Sequence, residues 1–137
     1  MRILAVDLGD ARIGLAISDI LGITANPLET YKRKGDIRDA EYIAKIANDR
    51  QCQRIILGLP LNMDGTEGVR VEKTYAFAEE LKKFTSVEID FEDERLSTVE
   101  VESVLIEAGM RREKRKDVID KLAATIILRR YMDRVLK

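Results

Sequence analysis

Between Arg2 and Ser18 the chain reads as two strands joined by a turn, and this opening restricts the fold more than any other stretch. Arg2 to Leu8 is apolar and β-rich, Gly9 and Asp10 supply turn chemistry, and Ile13, Leu15 and Ile17 then alternate with Gly14, Ala16 and Ser18. A period of two on either side of a turn is a β-hairpin. Residues Asn26 to Tyr31 resume an extended pattern, and Pro27 near their start is tolerable in an edge strand. The chain is therefore expected to begin with a three-stranded antiparallel meander.

After the meander the period changes. From Asp39 to Asp49, apolar residues at Ala40, Ile43, Ala44, Ile46 and Ala47 have helical spacing, and Arg54 to Leu59 is a short apolar run that ends at Pro60. A loop from Leu61 to Gly68 leads to a helix whose face is marked by Val71, Tyr75, Ala78 and Leu81. Val87, Ile89 and Phe91 alternate with acids as a further strand. Ser97 and Glu100 form a capping box ahead of Val101, Val104, Leu105 and Ala108, with Gly109 as a stop. A last amphipathic helix is expected from about Asp117, carrying Ile119, Leu122, Ala123, Ile126 and Ile127. The order is βββαβαβαα, an α/β chain with a mixed five-stranded sheet. At 137 residues and 45% apolar content, residues 1–137 suffice for one core and one domain.

The chain contains no histidine, which removes imidazole as general base, as a nucleophile's partner and as metal ligand. Its lone Cys52 excludes an intramolecular disulfide and a Cys-His zinc site, and fits a reducing, cytoplasmic setting. No apolar run approaches the roughly 18 residues of a membrane span, so no membrane partner is expected. A metal here would be a hard cation held by oxygen, with magnesium or manganese the default.

Three acids stand in places that need explaining. Asp7 sits between Val6 and Leu8 at the end of an otherwise apolar strand, where burial is costly without compensation; a side-chain cap on the Gly9 turn is its alternative role. Glu94 follows a strand expected to neighbour the first, and strand alternation puts Asp93 on the face of Val87, Ile89 and Phe91, leaving Glu94 to the other. Asp120 lies at the margin of the last helix's stripe, in its expected first turn, where an acid also suits the helix dipole. If these three carboxylates meet, they repel one another, and two divalent cations about 4 Å apart are the usual remedy in sites that displace groups at phosphorus.

The net charge of -1 hides two opposed clusters: five acids in the seven residues from Glu88 to Glu94, and five bases in the six from Arg111 to Lys116. Arg12, Asn62, Arg95 and the loop cluster Arg111, Arg112, Lys114, Arg115 and Lys116 are the candidates for holding phosphates of a nucleic acid without reading its bases. With only 5% aromatic residues and no Trp, base stacking is not evident.

Several ordered strings carry a resemblance: Asp7-Leu8-Gly9, Arg12-Ile13-Gly14-Leu15-Ala16, the run from Gly58 to Gly68 reading GLPLNMDGTEG, Asp93-Glu94-Arg95-Leu96-Ser97-Thr98, and Asp120 with Ala123-Ala124. Together they resemble the YqgF family, whose members are described as Holliday junction resolvases and as pre-16S ribosomal RNA nucleases, from Met1 to about Tyr131. The resemblance implies a ribonuclease-H-like three-layer fold, Asp7, Glu94 and Asp120 as the family's acidic positions, and a metal-dependent endonuclease. It implies processing of the 5′ end of pre-16S ribosomal RNA, with branched DNA as the other substrate. A monomer or weak homodimer is expected, since no exposed apolar helix stripe in the sequence announces a dimer interface. Two other classes are weighed against it. The sugar-kinase and actin-like ATPases open with a similar strand, Asp-x-Gly turn and strand, but close two such lobes around a nucleotide, and a G-x-x-x-x-G-K-[ST] loop is absent here. A non-catalytic nucleic-acid-binding module would use the basic cluster and leave the acids to shape the fold.

Overall fold

The computed structural model describes residues 1–62, 64–94 and 106–136; of Lys116, Asp117, Asp120 and Lys121 it describes the backbone. The opening hairpin forms as its alternation requires. Strand β1 (Ile3–Leu8) pairs antiparallel with β2 (Arg12–Ser18), and β2 pairs antiparallel with β3 (Ala25–Lys32), which lies at the sheet edge where Pro27 costs no interior ladder bond. Beyond the meander the pairing turns parallel. Strand β4 (Arg54–Leu59) lies beside β1, and β5 (Glu88–Asp93) beside β4, giving the order β3-β2-β1-β4-β5. One expectation is corrected here: β5 does not neighbour β1, because β4 returns between them.

Strand alternation sorts the side chains into two cores. Leu4, Val6, Ile13, Leu15, Ile55 and Leu57 pack with helices α1 (Asp36–Asp49) and α2 (Val69–Lys82), whose Ile43, Phe77 and Leu81 are fully buried. Ile3, Ala5, Ala16 and Ile56 point the other way, under helix α3 (Arg112–Val135), and meet Ala124, Ile127, Leu128, Tyr131 and Met132. Each large side chain withdrawn there contributes about 1.5–3 kcal/mol. The small residues alternating along β2 are thus covered by a helix rather than by solvent. Buried Ser18 accepts a 2.8 Å bond from the Ile3 backbone N–H.

Helix α3 starts at Arg112, not near Asp117, so the basic cluster is not a loop: its residues from Arg112 onward form the helix's first turns. Arg, Glu and Lys are strong helix formers and nothing in the run breaks a helix, so propensity carries the start upstream. Asp117 is therefore not an N-cap and Asp120 is not in the first turn. Leu122, expected in the buried stripe, is exposed. The helix expected from Ser97, with its capping box, lies outside the described residues except at its end. There Ile106 and Glu107 are helical and Gly109 takes the left-handed conformation, φ 75°, expected of a stop.

One buried acid ties the sheet to the helical layer. Asp39, fully buried in the first turns of α1, accepts from Arg33 Nε at 3.0 Å and from the Lys34 backbone N–H at 2.9 Å. Arg33 Nη1 also donates to Gly9 O at 3.1 Å, which fastens the β1–β2 turn to α1. Asp39→Ala leaves both donors short of their acceptor and is expected to lower stability by about 2–3 kcal/mol in urea unfolding.

Candidate active site

In β1 the residues facing α3 are Ile3 and Ala5, and the next on that face is Asp7, half-buried at the carboxyl end of the strand. In β5, Ile89 and Phe91 pack toward α1 and α2, so Asp93 follows them and Glu94 takes the α3 side. The Glu94 backbone N–H donates to Leu59 O at 3.2 Å, which extends the pairing with β4 one residue past the strand's end.

The strand between the two acids has no side chain where one would intervene. Register pairs Val6 with Leu57, so Gly58 falls beside Asp7. A Cβ built on Gly58 would stand 2.6 Å from Glu94 Oε2 and 2.6 Å from Ile127 Cδ1. The Glu94 carboxylate lies over this bare backbone and reaches Asp7. Asp7 and Glu94, expected to approach each other from neighbouring strands, are brought together instead across an intervening strand, and it is that strand which the sequence reasoning did not anticipate. The available signal was a lone glycine inside an apolar strand, a mark of close approach.

The pair is electrostatically loaded. Burial, the charge of Asp7 and a hydrogen bond with its carboxylate push the Glu94 carboxyl up to about 8 from an ordinary 4.5; the Arg70 guanidinium pulls it down, and Asp93 adds to the rise. A protonated Glu94 donates to Asp7; an ionised one needs positive charge nearby. Arg70 did not figure in the sequence reading. Its signal was a cation in the first turn of α2, against the preference of helix N-termini for anions.

The other acids of β5 have structural partners. Tyr131 OH donates to Asp90 Oδ2 at 2.9 Å and accepts from Arg54 Nη1 at 2.6 Å; Arg134 holds buried Glu92 at 3.0–3.2 Å; and Arg54 reaches Glu88 at 3.5 Å. These contacts fasten the edge strand to α3 and leave Glu94 as the acid of that face turned toward Asp7.

The remaining sequence candidates are scattered. Arg12, exposed at the head of β2, stands beside the Gly9 turn, where its carbonyl accepts from Gly9 at 3.0 Å. Asn62 Nδ2 donates to Thr66 Oγ1 at 3.0 Å and its backbone N–H to Thr66 O at 3.0 Å, so its side chain organises the loop before α2. Arg111, Arg112 and Lys114 are exposed around the start of α3, and Arg115 Nη1 donates to Met110 O at 2.7 Å. Arg95, and the side chains of Lys116 and Asp120, lie outside the described residues.

Two outcomes are expected from this geometry. Glu94 binds more protons in the folded chain than in the unfolded one between pH 4.5 and about 8. Its contribution to stability is therefore full at low pH and is lost as pH rises through that window, by at most about 1.4 kcal/mol per pH unit. Urea unfolding in chelator should show this decline, and Glu94→Gln should flatten it. Gly58→Ala should displace both Glu94 and Ile127, lowering stability by about 1–3 kcal/mol in the same measurement.

The comparisons agree with this architecture. A family model described as RuvX: Holliday junction resolvase matches residues 1–134. The "Putative pre-16S rRNA nuclease" of Clostridioides difficile strain 630 is 48% identical over 132 residues, spanning 96% of this chain and 94% of that protein. Its namesake from Halothermothrix orenii is 50% identical over 133 residues, spanning 97% and 95%. Among solved structures, Thermus thermophilus RuvC in complex with a Holliday junction substrate superposes with a TM-score of 0.58 at 12% identity, over 99% of this chain and 96% of that one. The fowlpox virus resolvase in complex with its Holliday junction DNA gives 0.55 at 16% identity over the whole of both chains. At such identities the likeness shows the fold, a ribonuclease-H-like one, while the family model and the near-half identity of the curated relatives show the lineage: this chain belongs to the RuvX family, the one its sequence strings resemble under the name YqgF.

Proposed function

We propose that the chain is a divalent-cation-dependent endonuclease that hydrolyses phosphodiester bonds in nucleic acid, and that it processes the 5′ end of pre-16S ribosomal RNA. The observation that carries this reading is the Asp7–Glu94 pair. Two carboxylates are pressed together on one sheet face, in a chain whose curated relatives bear the name of a pre-16S rRNA nuclease. Its setting is the cytoplasm, as a monomer or weak homodimer. No helix among the described residues is long and apolar enough to cross a membrane.

Asp7, Glu94 and Asp120 would hold the cation, magnesium or manganese. The donor set fits: only oxygen is on offer, since histidine is absent and Cys52 is buried. Among the described residues no three such groups gather into a metal site. Asp120 is the proposed third, because it precedes Ala124 and Ile127 on α3 by one and two helical turns. When bound, the cation activates water for attack at phosphorus and stabilises the departing oxygen, two ions dividing these tasks. The chain's own part is to aim the carboxylates. Glu94 must release the proton it shares with Asp7 before it can ligate, and Gly58 keeps the space in which it does so. Arg12, Asn62, Arg95 and the cations from Arg111 to Lys116 would hold the substrate backbone.

Junction resolution is the second reading, favoured by the description of the family model; it calls for two sites acting on two strands. Cleavage of a pre-16S RNA and of a four-way DNA junction, each with magnesium, manganese or chelator, decides between them. Asp7→Asn should remain folded by circular dichroism and lose at least about 100-fold in cleavage rate, more than outer-shell changes around a metal usually cost. Glu94→Gln and Asp120→Asn should do the same. Undiminished cutting by Asp7→Asn overturns the three-acid mechanism, and binding without cutting under every condition leaves a non-catalytic module.

A further inference from the structure

A second group of cations stands apart from those at the start of α3. At the carboxyl edge of β1 and β4, a notch is lined by Gly9 of the β1–β2 turn, Pro60 after β4, and Arg70, Lys73 and Thr74 on the first turns of α2. Arg33 also lines it, but its charge is committed to Asp36 and Asp39. Arg70 and Lys73 differ. Both are exposed, they project one helical turn apart, and neither makes an ion pair or a side-chain hydrogen bond with another described residue. Their neighbours along α2 show the contrast: Lys82 and Lys83 pair with Glu79 and Glu80 at 2.9 and 3.0 Å. The nearby acid Asp10 is exposed on the notch's rim and is not bonded to either cation.

Leu8 and Gly9, the two residues that follow Asp7, line the same notch, so Arg70 and Lys73 lie close to the carboxylate pair in space, and the charge of Arg70 acts on Glu94. Thr74 Oγ1 donates to Arg70 O at 3.0 Å and Val71 is fully buried, so the turn that carries the two cations is held by its own packing. Guanidinium and ammonium groups on a fixed turn, without an ion pair to another described residue, suit phosphate oxygens, Arg as a planar fork and Lys as a point charge.

We propose that Arg70 and Lys73 form a backbone-phosphate subsite, which holds the nucleic-acid strand as it leaves the Asp7–Glu94 pair toward the α2 side of the sheet. This inference rests on the nuclease reading for the direction of the strand, but the subsite binds phosphate whether or not the chain cuts.

The test is binding of two fluorescein-labelled probes, a single-stranded oligoribonucleotide and a four-way DNA junction, by the wild-type chain in chelator over a series of salt concentrations. Arg70→Gln/Lys73→Gln should weaken binding about tenfold and reduce the slope of log Kd against log salt by roughly 1–2, the loss of two phosphate contacts. Lys82→Gln/Lys83→Gln, which removes equal charge from the far end of the same helix, should change Kd less than about threefold. Equal effects of the two pairs, no effect of either, or no binding by the wild type overturns the subsite. The outcomes separate from those of the nuclease reading. A chain that never cuts but binds through Arg70 and Lys73 keeps the subsite and loses the enzyme; one that cuts with an unchanged slope in the variant does the reverse.

Discussion

Everything around the site answers to one electrostatic difficulty, the confinement of two carboxylates on a face of the sheet that a helix must also cover. Helix α3 needs a dry, apolar surface for Ile127, Leu128 and Tyr131, and the sheet supplies it through Ile3, Ala5 and Ile56. Asp7 and Glu94 interrupt that surface at its carboxyl end. In a low-dielectric setting two such charges cannot both persist unaided, so one is neutralised by a proton or both by a cation. Proton and cation therefore compete for one place, and folding and ligand binding are linked through it.

Much of this arrangement is legible from residue pattern. The hairpin follows from Ile13, Leu15 and Ile17, the faces of β5 follow from Val87, Ile89 and Phe91, and that same parity sets Glu94 apart from Asp93. What is hidden depends on partners distant in the chain. That β4 inserts between β1 and β5 is a matter of parallel pairing, which leaves no local mark, and only Gly58 hints at the consequence. The acid run from Glu88 to Glu94 looks uniform in sequence, yet Asp90 and Glu92 belong to Tyr131 and Arg134, some forty residues away. The start of α3 was misplaced for a local reason: charge clustering suggested a loop where helix propensity prevailed.

The distribution of paired and unpaired charge also separates support from function. With 24 basic and 25 acidic residues, 36% of the chain is charged. Arg33, Arg54 and Arg134 are spent on Asp39, Tyr131 with Glu88, and Glu92, each closing a junction between layers. A cation with a structural partner has lost part of what it could offer a phosphate. Arg12, Arg70 and Lys73 make no ion pair with another described residue, and they stand near the end of the sheet where the carboxylates meet.

The alternation that carries Glu94 to one face and Asp93 to the other has an evolutionary consequence. In β5, exchanging one residue for another alters a single contact, whereas adding or removing one upstream of Glu94 reverses the facing of every residue beyond it. With one residue added, Asp93 would inherit the position over Gly58; with one removed, Glu94 would take the place of Asp93 on the face toward α1 and α2. Drift in this segment is therefore confined to letters and closed to length, and lineages of this fold can diverge widely in composition here while the count of residues along the strand stays fixed.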